Sequence, residues 1–122
     1  MKKFEFKDKE INGYIDKTFM KGVLKLMLLK IIEKEKIYPY ALLKKINSNK
    51  HLNMKISKND LYNLITVMEK SNLITAKEII KNKKSHKILI ITPKGKNITI
   101  KSKNILIKHI KSVKDLMAEM DG

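Results

Sequence analysis

Between Ser57 and Lys70 the apolar side chains Leu61, Leu64, Ile65 and Met68 recur at helical spacing, in one stripe, while Asn59, Asn63, Thr66 and Lys70 fall on the opposite side. Ser57 is a good N-cap. Asp60, three residues on, can complete a capping box and sets a carboxylate at the positive end of the helix dipole. Upstream, the run F-M-K-G-V-L-K-L-M-L-L-K-I-I predicts a central buried helix from Thr18 to about Glu35, with Lys21, Lys25 and Lys30 at its wet edge. Pro39 suits the first turn of a second helix, whose core face is Leu42, Leu43 and Ile46 and which N-S-N-K ends. A loop around His51 to Ile56 connects it to the Ser57 helix.

After Asn72 the period changes from helical to alternating. The segments L-I-T-A-K-E-I-I and H-K-I-L-I-I-T flank K-N-K-K-S, which predicts a hairpin with a cationic tip. Thr92 and Pro93 are an N-cap and first-turn proline for a last helix, although the I-T-I alternation within its early part also suits a strand. Its later part is clearer. Leu106, Ile110, Val113, Met117 and Met120 follow the four-three spacing of a seam between two helices, a candidate subunit interface. Residues 1–17 form a charged N-terminal extension in which Phe4, Phe6 and Tyr14 either pack against a partner subunit or fray. Residues 18–92 make the main domain and 93–122 the C-terminal helix.

Charge narrows the function. The formal net charge is +16, from 28 basic against 12 acidic residues, which predicts attraction to a polyanion and binding that weakens with salt. Every basic residue is Lys, and Ile and Asn are abundant. These three share A/T-rich codons, so the placement of the charges carries more than their sum. The outward side of the Ser57 helix is informative because amides and a hydroxyl stand where a merely solvated face would carry Lys and Glu. Such a face reads hydrogen bonds in a major groove. Without Arg there is no bidentate grip on guanine, whereas Asn pairs well with adenine, so the expected target is A/T-rich double-stranded DNA.

Asn59, Asn63 and Thr66 are the candidates for base edges. Lys55, Lys58 and Lys70, with the hairpin lysines Lys81, Lys83, Lys84 and Lys87, are the candidates for phosphates, beside Ser57 at the helix start. Tyr62 sits at the flank, either reaching the backbone through its hydroxyl or packing part-buried.

The chemistry that is missing excludes other classes. There is no Cys, no Gly-rich phosphate loop and no ligand spacing among His51, His86 and His109, so neither an enzyme, a metal nor a cofactor is expected. No apolar run is long enough to span a bilayer, and the N-terminus lacks a signal-peptide pattern, so the expected location is the cytoplasm.

Three helices, a basic hairpin and a trailing helix give a mostly α chain with a small β-hairpin, the winged helix-turn-helix with a C-terminal dimerisation helix. The chain resembles PadR-type transcriptional regulators, and less specifically MarR-like winged-helix regulators. K-G-V-L-K-L-M-L-L-K-I-I is similar to the family's first-helix signature, and Y-P-Y-A-L-L-K-K-I to its second-helix motif, with Tyr40 in the Tyr position. In S-K-N-D-L-Y-N-L-I-T-V-M-E-K-S-N-L-I the positions Leu61, Tyr62, Ile65, Glu69, Leu73 and Ile74 fit the family pattern, as do Thr92 and Gly95 in I-T-P-K-G. Asn72 departs from it, replacing a Gly. The resemblance implies a homodimer built through the last helix that represses nearby genes, and two-fold symmetry would set its paired Ser57 helices on a near-palindromic site. Two other readings stay open: a nonspecific DNA- or RNA-binding structural protein, and a winged-helix adaptor for protein assembly.

Overall fold

The computed structural model describes residues 8–52 and 55–121, with side-chain surroundings from Lys21 onward. The elements run α1 (Asp8–Lys34), α2 (Pro39–Asn47), α3 (Lys58–Lys70), β1 (Ile74–Lys81), β2 (Lys84–Ile91) and α4 (Pro93–Asp121). Pro39 opens α2 and Ser57 caps α3, its hydroxyl accepting from the Asp60 backbone N–H at 3.1 Å. One half of the expected capping box is thus in place.

One element differs from the sequence expectation, and one open alternative is decided. Helix α1 starts at Asp8 rather than near Thr18, because a helix nucleated by its strongly apolar part extends at one hydrogen bond per added residue. Phe4 and Phe6 lie outside the described residues, and Tyr14 falls within α1. The I-T-I segment belongs to α4 and not to a strand. Ile98 and Thr99 turn inward and Ile100 outward, and the buried Thr99 hydroxyl donates to the Gly95 carbonyl one turn back, at 2.8 Å.

One core serves every element. Leu28 and Ile32 of α1, Leu42 and Ile46 of α2, Leu61 of α3, Ile74 of β1 and Leu89 of β2 are fully buried, each burial stabilising by about 1.5–3 kcal/mol. The antiparallel hairpin pairs Ile74 with Ile91 at its base and Lys81 with Lys84 at its tip. Ile37, just before α2, bridges to Leu89 through two backbone hydrogen bonds of 2.8 and 3.3 Å, so the base of the wing is bonded to the start of α2.

Loops are held by side chains that replace backbone partners. The Asn47 amide accepts from the Ile56 N–H at 2.8 Å and donates to its carbonyl at 2.9 Å, which fixes the approach to α3. At the other end of α3 the Leu73 N–H bonds to the Met68 carbonyl and the Asn72 N–H to the Glu69 carbonyl, with Asn72 left-handed at φ 61°. This is a Schellman ending with Asn at the glycine position.

The same turn receives α4. The Thr92 hydroxyl accepts from the Gly95 N–H at 3.0 Å and faces the carbonyls of Asn72 and Leu73 at 2.6 and 3.0 Å. The Thr92 N–H donates to the Leu73 carbonyl at 3.1 Å. Gly95 packs so closely here that a Cβ would stand 2.1 Å from the Leu73 oxygen. Gly95→Ala must therefore move backbone, and we expect it to destabilise the fold by about 1–3 kcal/mol in urea titration; an unchanged midpoint would contradict the close contact.

Candidate nucleic-acid interface

The stripe expected to anchor α3 does so: Leu61, Ile65 and Met68 are buried and Leu64 is partly buried. The whole opposite side is then free of the core, and Ser57, Lys58, Asn59, Tyr62, Asn63, Thr66 and Lys70 are all exposed, as is Lys55 just before the helix. Successive positions Asn59, Asn63, Thr66 and Lys70 lie within one outward sector, so two amides, a hydroxyl and an ammonium point the same way.

Local contacts refine what each can do. The Thr66 hydroxyl donates to the Tyr62 carbonyl at 2.9 Å, a bond within the helix that uses its only proton. Thr66 therefore offers a methyl group and lone pairs to a ligand, but no donor. Tyr62 is 43% exposed, and Lys58 places its ammonium 5.8 Å from the ring centre. The ring is thus partly covered and partly open to solvent.

The hairpin lysines Lys81, Lys83, Lys84 and Lys87 are exposed. They are not equivalent. Lys87 pairs across the strands with Glu78, whose carboxylate also accepts from the Ser85 hydroxyl, so its charge is partly offset. Lys81 and Lys84 close the hairpin as its last pair, and Asn82 and Lys83 form a two-residue loop with φ of 52° and 61°. Both loop residues are left-handed, as a type I′ turn requires. Asn tolerates that conformation; Lys does so at a cost of about 1 kcal/mol.

Three residues in this region escaped the sequence reading. Val67, 57% exposed, flanks Asn63 on α3. Tyr40, 67% exposed, stacks on Tyr38 with ring centres 5.7 Å apart, and Tyr38 meets the edge of His86 on β2 at 5.8 Å. This aromatic contact joins the second helix to the wing. Ile80 stands 79% exposed beside the tip lysines. The Tyr-Pro-Tyr spacing hinted at the aromatic pair, but only the strand register brings His86 to it.

Along α4, Leu106 is partly buried, whereas Ile110, Val113, Met117 and Met120 are exposed by 39%, 49%, 49% and 75%. An apolar groove of about 470 Å³ between α1, α3 and α4 includes Leu29, Leu64, Val67, Ile98, Leu106 and His109 in its wall. Among the described residues there is no His, Asp or Glu grouping that could hold a metal ion, and no helix long and apolar enough to cross a membrane.

The chain is similar to known proteins at this fold. Residues 28–99 match the model of the transcriptional regulator PadR-like family. A PadR-like transcriptional regulator from Bacillus cereus is 28% identical, with a TM-score of 0.69, over 80% of this chain and 94% of that one. A PadR family regulator from Eggerthella lenta superposes with a TM-score of 0.77 at 21% identity, over 89% of this chain and 94% of its own. A transcriptional regulator from Clostridium thermocellum gives 0.72 at 18% identity, over 80% and 95%. Among curated proteins no sequence matches.

The strained loop residue generates a stability prediction. Lys83→Gly removes the left-handed penalty of about 1 kcal/mol while adding freedom to the unfolded chain worth about 0.4–1 kcal/mol, so a net gain of no more than about 0.6 kcal/mol is expected in urea titration. A loss of stability would show that Lys83 is held by something other than the turn.

Proposed function

The chain belongs to the transcriptional regulator PadR-like family, and from that premise we propose that it is a cytoplasmic homodimeric repressor that reads A/T-rich, near-palindromic DNA with α3 and grips the flanking backbone with its wing. It is a DNA-binding transcriptional regulator and not an enzyme. The observation that carries the finer reading is the outward sector of α3, where Asn59 and Asn63 are exposed and make no side-chain hydrogen bond among those found in the described residues. Asn63 offers an acceptor and a donor together, the pair that adenine matches in the major groove. Lys55, Lys58, Lys70, Lys81, Lys83 and Lys84 would hold phosphates, and Lys87 contributes less because of Glu78.

The dimer is supported by the exposed seam of α4. Its apolar stripe runs on from Leu106, which also lines the groove beside α1 and α3, so one continuous apolar surface passes from groove to helix. A second copy is the occupant that matches it, since a self-complementary stripe on a long helix makes a two-fold contact. Two-fold symmetry would then set the paired α3 helices about one DNA turn apart.

Binding to the chain's own upstream region, against random DNA of equal length at two salt concentrations, tests this reading. Preference that survives the higher salt supports a repressor acting on its own promoter; equal, salt-sensitive binding to both would favour a nonspecific role driven by the net charge of +16. Within a preferred site, Asn63→Ala should cost about 1–3 kcal/mol of discrimination, whereas Lys84→Ala should weaken all sequences alike. Thr66→Val, which keeps the methyl group, should cost less than Asn63→Ala. Val113→Asp should turn dimers into monomers by placing two unpaired carboxylates at the seam, and an unchanged mass in light scattering would rule out that interface.

A further inference from the structure

Val67 is 57% exposed although it lies beside the core stripe of α3, and with Tyr62 it is one of two large apolar side chains on that helix left in solvent. It does not stand alone. Asp60, Asn63 and Val67 recur at three and four residues along α3, on the flank between its buried stripe and its outward sector, and this flank forms one wall of a cleft of about 400 Å³. Helix α1 supplies the other wall through Leu24, and Ile56 of the loop before α3 closes the end. The cleft is distinct from the groove that reaches α4: the two share Lys25, Leu64 and Val67, but Lys21 and Ile56 line only the cleft, and no residue of α4 does.

Two kinds of group meet there. Leu24 and Ile56 are buried and Leu64 is partly buried, so with Val67 they give the cleft a floor that is apolar and wholly aliphatic. Such a floor suits a flexible saturated chain and offers no ring on which a planar ligand could stack. Around it stand Lys21, Lys25 and Lys55, all exposed, against the single carboxylate of Asp60. Neither ion pair found among the described residues, Lys30 with Glu33 and Lys45 with Glu35, uses any of these four groups. Three ammonium groups against one carboxylate attract an anion, and the long lysine stems let their charges converge on a headgroup at the rim while the chain below is withdrawn from water. A phosphate backbone would use the lysines and leave the aliphatic floor without a partner, whereas an amphiphile uses both.

We propose that this cleft is an effector site for a single-chain aliphatic carboxylate, its headgroup held by Lys21, Lys25 and Lys55 and its chain laid on Leu24, Ile56, Leu64 and Val67. Occupancy releases DNA, because the ligand covers Asn63 and engages Lys55, a base-reading and a phosphate-holding group of the proposed interface. This part rests on the reading of α3 as the helix that reads DNA. Ligand and DNA compete for the same side chains of one subunit, so each weakens the binding of the other by the same factor.

Decanoate below its micelle concentration is the probe, and the full-length protein with isotope-labelled isoleucine methyl groups reports where it goes. Ile56 lines only this cleft, and Ile105 only the groove beside α4. Decanoate should move the Ile56 methyl signal and leave that of Ile105 in place. Acetate, the headgroup alone, and decyltrimethylammonium, the same chain on a cation, should move neither. Lys21→Gln combined with Lys25→Gln should weaken decanoate about fivefold, the effect of two exposed charges, at surface positions that leave the fold intact. On a duplex from the chain's upstream region, saturating decanoate should weaken wild-type binding about tenfold, and the double variant should need about fivefold more decanoate for the same loss.

Shifts at Ile105 equal to those at Ile56, or equal binding of decyltrimethylammonium, would mean adsorption to apolar surface in general and overturn the site. Decanoate that fills the cleft while DNA binding is unchanged overturns the release and leaves the regulator reading standing. If no duplex is bound even without decanoate, the regulator reading itself fails and the release falls with it, while the Ile56 signal alone decides the site.

Discussion

The carbonyl of Leu73 is the point at which the recognition helix, the wing and the last helix are joined. It accepts the Thr92 N–H, faces the Thr92 hydroxyl, and is approached by Gly95 more closely than any side chain would allow. Lys94 adds a bond from its ammonium to the Ser71 carbonyl at 2.9 Å. A Schellman ending, a strand return and a helix start thus share a few backbone groups, and each satisfies what the others would leave unpaired. The direction in which α3 presents Asn59 and Asn63 depends on this junction as much as on the stripe that buries Leu61 and Ile65. Its opposite end is pinned by Asn47 on Ile56, so α3 is held at both termini by side-chain bonds and along its length by packing.

Much of this was legible in the sequence because it is local. Ser57 and Pro39 mark helix starts through their own chemistry, and the change from helical to alternating period after Asn72 marks the wing. Asn72 itself signalled a left-handed turn where the family prefers Gly. What was not legible is set by distance. The start of α1 follows from propagation into D-K-E-I-N-G-Y-I-D-K, whose own pattern is weak. The helical state of I-T-I depends on Thr99 bonding to Gly95, packed in turn against Leu73. The Tyr38 contact with His86 and the exposure of Ile80 depend on register and on where the core ends. The loss of the Thr66 proton to Tyr62 is local but conformational, and composition alone does not show it.

An all-lysine surface has its own consequence for recognition. Lysine supplies charge without the planar fork that lets arginine commit to one base, so in the proposed function the cationic groups attract and position while sequence is left to amides and groove shape. On the proposed reading, the exposed amides of Asn59 and Asn63 on α3 are the groups left to perform that discrimination.

The 29 residues of α4 form one unbroken rod about 44 Å long, clamped at its near end against the turn that ends α3. Its far half carries the exposed apolar stripe and makes no use of the core. Such a rod acts as a lever with its fulcrum at Gly95. A tilt of a few degrees imposed on the far end is delivered to the recognition helix without an intervening joint to absorb it.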